Sequence, residues 1–223
     1  GVSPHVGWGG ILVAPRAWGA VRMAVSSMPC RVLGERSHRM LSMGPIVAAQ
    51  KSLDSIVKLE SLMKEDPVRI IAIWMEYHAT KAACAAGVMS QAEYDTVLFR
   101  AKKCPVCIAP IRKGKGHMTM VAQFKDGKIF MTTLEDYQTK GEHAEPLMVA
   151  SIHKDLLKEK ELALVRVDYT EGLISKEESS LLLADVLFCY YDTETYKDVA
   201  KLNAGALDFD YELFINRLFI RQP

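Results

Sequence analysis

The sequence predicts an α+β fold, an antiparallel β-sheet surrounded by helices. Residues 117–124 alternate polar and apolar side chains, which is the pattern of a half-buried strand. A turn signal follows at Asp126–Gly127, and residues 129–132 return as an apolar run, so the two segments form a predicted antiparallel hairpin. Helical patterns precede and follow this hairpin, which places helices around the sheet.

Two of these helices begin with a capping box, in which Ser and the Glu three residues later satisfy each other's backbone N–H groups. Ser90 with Glu93 begins a helix that ends before Pro105. Ser175 with Glu178 begins a second helix, whose later turns are almost wholly apolar and are therefore predicted to be buried.

The first helical elements lie ahead of these. Apolar residues recur at helical spacing over 53–63, which predicts one short amphipathic helix. Asp66 as N-cap and Pro67 in the first turn open a second helix, predicted to run to about Cys84 and to end before Gly87.

The rest of the chain completes the sheet and its helices. The remaining predicted elements are strands over 106–111, 147–152 and 162–169, a short helix over 133–138 closed by Gly141, a helix over 193–202 and a last amphipathic segment over 209–218. Residues 162–169 are apolar on both faces as far as Arg166, which predicts an interior strand.

Composition limits the possible partners. The chain has 223 residues, 49% hydrophobic and 25% charged, which suits a single sizeable core. Its formal net charge of +1 gives no overall basic field, so neither nucleic acid nor a membrane surface is an expected partner. No apolar run reaches the roughly 18 residues that span a bilayer, so we expect no membrane insertion. We expect a monomer when the protein is free.

The front of the chain differs from the rest. Residues 1–34 contain Arg16, Arg22 and Arg31 but no Asp or Glu, a composition typical of a mitochondrial import peptide. A disordered tail, or upstream sequence ahead of a true start at Met23, are the alternatives. We therefore predict a targeting or disordered segment over 1–50 and one domain over 51–223. Five cysteines, an odd number, fit a reducing interior such as the mitochondrial matrix.

Motifs for catalysis are missing from the sequence. Gly114-Lys115-Gly116 lacks the spacing of a phosphate-binding loop and leads into a strand, so it is interpreted as a hairpin turn. His78 lies on a helix beside Trp74, where a structural role is favoured. We expect no enzyme activity and no cofactor.

The sharpest chemical signal is Cys104-Pro-Val-Cys107. Two thiols at this spacing form a redox pair or half of a tetrahedral zinc site. A redox motif of this kind needs a helix after it, whereas here a helix precedes and a strand follows. A matrix thiol-redox or zinc-binding protein using Cys104 and Cys107 is the alternative function.

Four segments, in this order, resemble one family: IWMEYHATK at Ile73–Lys81, RAKKCP at Arg100–Pro105, LEDYQTKGEHAEP at Leu134–Pro146 and FDY at Phe209–Tyr211. The chain resembles the mitochondrial ATP synthase F(1) assembly factor 1 family, chaperones of the F(1) beta subunit. The resemblance implies a matrix protein that binds unassembled beta subunit, shields its alpha-contacting surface and prevents aggregation until the alpha/beta hexamer forms, without ATP hydrolysis. It also implies no catalytic residue.

Candidate contacts with the beta subunit lie in the most distinctive loop and in the last segment. The residues predicted to bind the partner are Tyr137, Gln138, Gly141, Glu142, Phe214 and Phe219. Gly141 permits an unusual backbone angle, and Tyr137 offers an amphipathic contact. The alternative is that this loop is a structural corner, with Tyr137 packed on the sheet.

Overall fold

The computed structural model describes residues 51–222, apart from the side chain of Glu142. The predicted targeting segment, residues 1–50, lies outside the described residues. The described helices are α1 (Leu53–Ile56), α2 (Leu59–Leu62), α3 (Pro67–Ala79), α4 (Gln91–Lys103), α5 (Leu134–Lys140), α6 (Leu157–Lys160), α7 (Lys176–Tyr191), α8 (Thr193–Ala204) and α9 (Tyr211–Arg221). The strands are β1 (Cys84–Ser90), β2 (Val106–Lys113), β3 (Gly116–Lys125), β4 (Lys128–Thr133), β5 (Met148–His153) and β6 (Leu162–Tyr169).

The six strands form one sheet in the order β1-β6-β5-β4-β3-β2, and every neighbouring pair is antiparallel. The predicted hairpin is β3–β4. Its turn residues Asp126 and Gly127 have φ angles of 51° and 74°, as a type I′ turn requires. Both capping boxes are present, at the starts of α4 and α7. The predicted α+β class with an antiparallel sheet is confirmed.

One sheet edge was predicted wrongly. The helix expected to reach Cys84 ends earlier, and Cys84–Ser90 form the edge strand β1. Ala83, with φ of 52°, redirects the chain between them. Gly87 lies in mid-strand, where a Cβ would come within 2.8 Å of the Leu183 side chain. Alanine-rich residues 82–86 favour helix by propensity, but pairing with β6 overrides that preference.

A contact from a distant helix explains where α3 ends. The Lys176 ammonium, at the start of α7, donates to the carbonyl oxygens of His78, Ala79 and Lys81 at 2.9, 2.8 and 2.7 Å. These carbonyl groups would otherwise lack partners at a helix C-terminus. The end of the helix is therefore set by a residue about a hundred positions away in sequence.

The first helix was also predicted as too long. Residues 53–63 form two four-residue helices, α1 and α2, separated at Val57 and Lys58. Val57 is extended, with φ of −136° and ψ of 154°. Both helices nevertheless bury an apolar side chain, Leu53 and Leu62, in the same cluster as Trp74.

The sheet is covered on both faces. Residues paired across antiparallel strands point to the same face, so Gly87 and its partner Val165 share the face on which Leu183 of α7 packs. On the other face α3 packs over β1 and β6, and its Trp74 is fully buried in a small cluster. That cluster consists of Leu53, Leu62, Ile70, Trp74, Leu156, Leu162 and Leu164.

The opposite sheet edge, β2, is protected by side chains of α8 and the end of α9. The Asn203 amide accepts from the backbone N–H of Val106 at 3.1 Å and donates to its carbonyl oxygen at 2.6 Å, as a neighbouring strand would. Gln222 donates to the carbonyl oxygen of Pro110 at 3.2 Å, and Pro110 itself has no N–H to present. This edge is thereby blunted against pairing with another strand.

Candidate partner-binding groove

A groove of about 560 Å³ opens between the first residues of β3, the helix α5 and the start of α9. Its lining residues come from these three elements and the end of β4: His117, Met118, Thr119, Thr133, Leu134, Glu135, Gln138, Tyr211 and Glu212. A groove of this size is in the range of sites that enclose a small ligand or several side chains of a peptide.

Two local contacts hold the groove walls in place. The hydroxyl groups of Tyr211 and Thr119 form a hydrogen bond of 2.5 Å, which ties α9 to β3. Burial raises the pKa of the Tyr211 phenol, so it stays protonated at neutral pH. Thr133 is the N-cap of α5, and its hydroxyl accepts from the backbone N–H of Asp136 at 3.0 Å.

Charge on the groove is predominantly acidic. Glu135 and Glu212 are both exposed, and each lies in the first turn of a different helix. His117 is the one basic side chain among the nine lining residues. Its ring packs edge-on against Phe219, with the ring centroids 5.1 Å apart.

The predicted loop residues are divided between groove and core. Gln138 lines the groove. Gly141 ends α5 with φ of 59°, which is the kind of unusual backbone angle that the glycine was predicted to permit. Tyr137 is only 2% exposed, so it packs in the core as the structural alternative proposed. The backbone of Glu142 belongs to the 3-10 turn Gly141–His143.

The two predicted aromatic residues of α9 also differ. Phe214 is 1% exposed and contacts Phe209, with the ring centroids 5.7 Å apart, so its side chain belongs to the core. Phe219 is half-buried beside the groove, between His117 and the guanidinium of Arg112, which lies 5.0 Å from its ring centroid. Burial removes Tyr137 and Phe214 from the accessible surface. The partner-binding role of the others stays a prediction.

Sequence reasoning missed most of the groove lining. His117, Thr119 and Glu212 come together only because the sheet places the start of β3 beside α9. A usable signal was present in the two helix first turns, where Glu135 and Glu212 each follow an N-cap. That signal predicts helix starts but does not predict that they face one another.

The two cysteines of the CxxC motif are buried. Cys104 is 9% exposed and ends α4, and Cys107 is 0% exposed on β2. The Tyr190 hydroxyl donates to the carbonyl oxygen of Cys104 at 2.7 Å. Burial, with a hydrogen bond to Cys107 that favours the neutral form, raises the pKa of the nearby Cys189 thiol well above its ordinary value. Within residues 51–222, no group of three or more His, Cys, Asp or Glu residues is placed to hold a metal ion.

None of the helices in the described part of the chain combines the length and apolar character needed to cross a membrane.

The sequence matches one protein family model and several named relatives. The ATP11 protein family model matches residues 41–210. The protein named ATP synthase mitochondrial F1 complex assembly factor 1 from Danio rerio is 26% identical over 170 residues, 75% of this chain and 56% of that protein. The proteins of that name from Homo sapiens and Mus musculus are 26% and 24% identical over the same share of the chain. The chain spans about half the length of these relatives.

The match covers β3 and α5, and it ends at the N-cap of α9. It begins at residue 41, inside the predicted N-terminal segment. Because the family model matches well over half of the sequence, this chain belongs to the ATP11 protein family.

Proposed function

We propose that this chain is a mitochondrial matrix chaperone for assembly of the F(1) sector of ATP synthase, which holds the unassembled beta subunit until the alpha subunit joins it. Family membership supports this proposal: relatives matched over 75% of the chain are named as F1 complex assembly factors. The choice of the beta subunit as the client rests on the motif resemblance.

The physical basis is the surface of an unassembled ring subunit. Such a subunit exposes an apolar interface that would associate wrongly before its partner arrives. A holding protein must cover that surface, yet bind it less tightly than the true partner does. Release is then displacement by the alpha subunit, so the role needs no ATP hydrolysis and no catalytic residue.

The groove between β3, α5 and α9 is the proposed contact site. Gln138 lines it, and Phe219 lies at its margin behind His117. Leu213 of α9, 58% exposed, follows directly after the lining residue Glu212. A free monomer presents this surface to one client at a time.

The test is capture of beta subunit by the full chain, followed by addition of alpha subunit. We expect a one-to-one complex on size-exclusion chromatography that alpha subunit dissociates without nucleotide. Absence of capture, under conditions in which beta subunit alone stays soluble, would contradict the proposal.

Three variants sharpen this test. Gln138→Ala is expected to weaken capture, whereas Gln91→Ala, at the start of α4 and away from the groove, is expected to leave it unchanged. Cys107→Ala is likewise expected to leave capture unchanged. If Cys107→Ala abolished capture while the protein stayed folded, the alternative thiol or zinc function would gain support.

A further inference from the structure

The groove combines an apolar lining with acidic side chains at its margins. Met118, Leu134 and the Tyr211 ring supply the apolar part, and none of the three is fully exposed. The hydroxyl groups of Thr119 and Tyr211 are hydrogen-bonded to each other. A ligand therefore meets apolar atoms in the groove and charged groups beside it.

The two carboxylates of the groove are left available by the rest of the domain. Over residues 51–222, the Lys and Arg side chains that form ion pairs do so with carboxylates other than Glu135 and Glu212. The neighbouring Asp136 is different, because Lys140 pairs with it at 2.8 Å on the same helix. Among the described residues, Glu135 and Glu212 thus line the groove without a Lys or Arg ion-pair partner.

Interaction with a helix dipole does not by itself explain why Glu135 and Glu212 lie at the same groove. Carboxylates in a first turn complement the helix dipole wherever they lie, and Glu177 does so at the start of α7, exposed and outside this groove. Glu135 and Glu212 belong to separate helices, yet they line the same groove. Glu177 is accordingly the natural control for the dipole contribution.

We propose that this groove binds a protein segment in which a Lys or Arg side chain is flanked by apolar residues. The cation lies between Glu135 and Glu212, and the flanking side chains contact Met118, Leu134 and the Tyr211 ring. An arginine is favoured, since its planar group donates to two carboxylates while its stem covers apolar surface. In identifying the partner as the assembly client, this inference rests on the proposed function.

The experiment uses the full chain and a set of overlapping fluorescent peptides that tile the ATP synthase beta subunit. Binding is measured by anisotropy for the wild type, the double variant Glu135→Lys/Glu212→Lys and the control Glu177→Lys. We expect peptides with a basic residue between apolar ones to bind the wild type, and to bind the double variant at least about tenfold more weakly. Glu177→Lys is expected to bind as the wild type does.

Further measurements separate the possible failures. Circular dichroism melting must show all three proteins folded; if the double variant is not, Glu135→Gln/Glu212→Gln replaces it with the same expectation. Equal peptide binding by wild type and a folded double variant would overturn the inference, as would a lack of any peptide binding. Loss of affinity on replacing the central basic residue with norleucine supports it further.

The same variants distinguish this inference from the proposed function. If whole beta subunit is captured equally by wild type and double variant, the basic-segment inference fails while the assembly role stands. If basic peptides bind in a Glu-dependent way but beta subunit is not captured, the proposed client is wrong and the groove assignment stands. Self-association of the wild type that the double variant abolishes would identify a second copy as the occupant and overturn the inference.

Discussion

The two faces of the sheet bury different chemistry. The α7 face is closed mainly by apolar side chains, with one carboxyl group, Asp185, buried at its margin. The α3 face buries two imidazoles, His78 and His153, close to Trp74. One fold therefore contains an acid and two bases that burial makes reluctant to ionise. Their effects on stability have opposite dependence on pH.

Polar partners differ between the faces as well. His78 donates from Nδ1 to the carbonyl oxygen of Trp74 at 2.9 Å, and the guanidinium of Arg166 lies 3.5 Å from its Nε2. Arg166 itself pairs with Asp168 at 2.6 Å on the same strand. On the α7 face, Asp185 accepts from Gln222 at 2.7 Å. Each face is thus tied to a different part of the chain.

Removal of Trp74 is the change with the largest expected effect. Trp74→Ala empties the centre of the small α3 cluster and should lower the free energy of unfolding by about 3–5 kcal/mol. Because that cluster is separate from the α7 core, we expect amide exchange to accelerate first in α3 and β1. Native-state hydrogen exchange by mass spectrometry measures this.

A matched variant tests the independence of the faces. Tyr190→Ala removes a fully buried ring of the α7 core, and it should accelerate exchange in α7 and in the β2–β3 strands together. If Trp74→Ala instead accelerates exchange equally in α3 and α7, the two faces form one cooperative unit and the comparison fails.

Asp185 gives the next largest effect. Burial raises the pKa of its carboxyl group from 3.8 to about 6, against the pull of Gln222 and Arg221. A folded pKa above the unfolded one means that the carboxyl group favours folding below about pH 4, and this contribution is lost as pH rises through about 6. The shift corresponds to about 3 kcal/mol.

Asp185→Asn removes this titration with little change of shape. We expect the stability of the variant relative to the wild type to increase from pH 4.5 to pH 7.5, by up to about 3 kcal/mol. Urea midpoints at the two pH values measure this difference. Asp198→Asn is the control, because Asp198 pairs with Arg217 at 2.8 Å near the surface and its loss should bring no such gain. If the stabilities of the wild type and Asp185→Asn depend on pH in parallel, Asp185 does not titrate as proposed.

Local sequence signals predicted some elements of the fold and missed others. Helices α4 and α7 were predictable because their capping boxes are local in sequence. Strand β1 was not, because its pairing with β6 and the Lys176 contacts that end α3 come from residues far away. Alanine-rich sequence reads as helix until its tertiary partners are known.

The groove shows the same limit. The short helix predicted over 133–138 is α5, and Gln138, predicted to bind the partner, lines the groove there. Helical spacing could not tell that Phe214 faces the core while Phe219 lies beside His117. A carboxylate in a first turn looks alike at Glu177 and Glu212, and only the fold brings one of them to a groove.

The histidines of the α3 face should show the opposite pH dependence. Burial lowers the pKa of both His78 and His153 below 6.5. The unfolded chain therefore takes up protons below about pH 6.5 that the folded chain resists, so stability falls as pH falls through that range. His153 Nε2 has no hydrogen-bond partner within the described residues, so an apolar ring in its place breaks no hydrogen bond of that nitrogen.

His153→Phe is expected to flatten this acid-side loss, and to match or exceed the wild type at pH 5.5. Urea midpoints at pH 5.5 and 7.5 measure the change, with the exposed His117 replaced in the control His117→Phe. If the stability of His153→Phe falls with pH as steeply as that of the wild type, other groups cause the acid sensitivity.

The smallest expected effect compares the local caps of two helices that pack in the same core, α4 and α7. Ser90→Ala and Ser175→Ala each remove a hydroxyl that accepts from the N–H of the third helical residue, at 3.3 Å and 3.1 Å. Each should cost about 1 kcal/mol. Ser90 joins β1 to α4, whereas Ser175 begins α7 itself, whose Glu178 also pairs with Lys113 of β2 at 2.8 Å. If capping is purely local, the two costs agree; a markedly larger cost for Ser175→Ala in urea unfolding would show that the α7 box acts through its attachment to the sheet edge, because a misplaced Glu178 would loosen Lys113 as well.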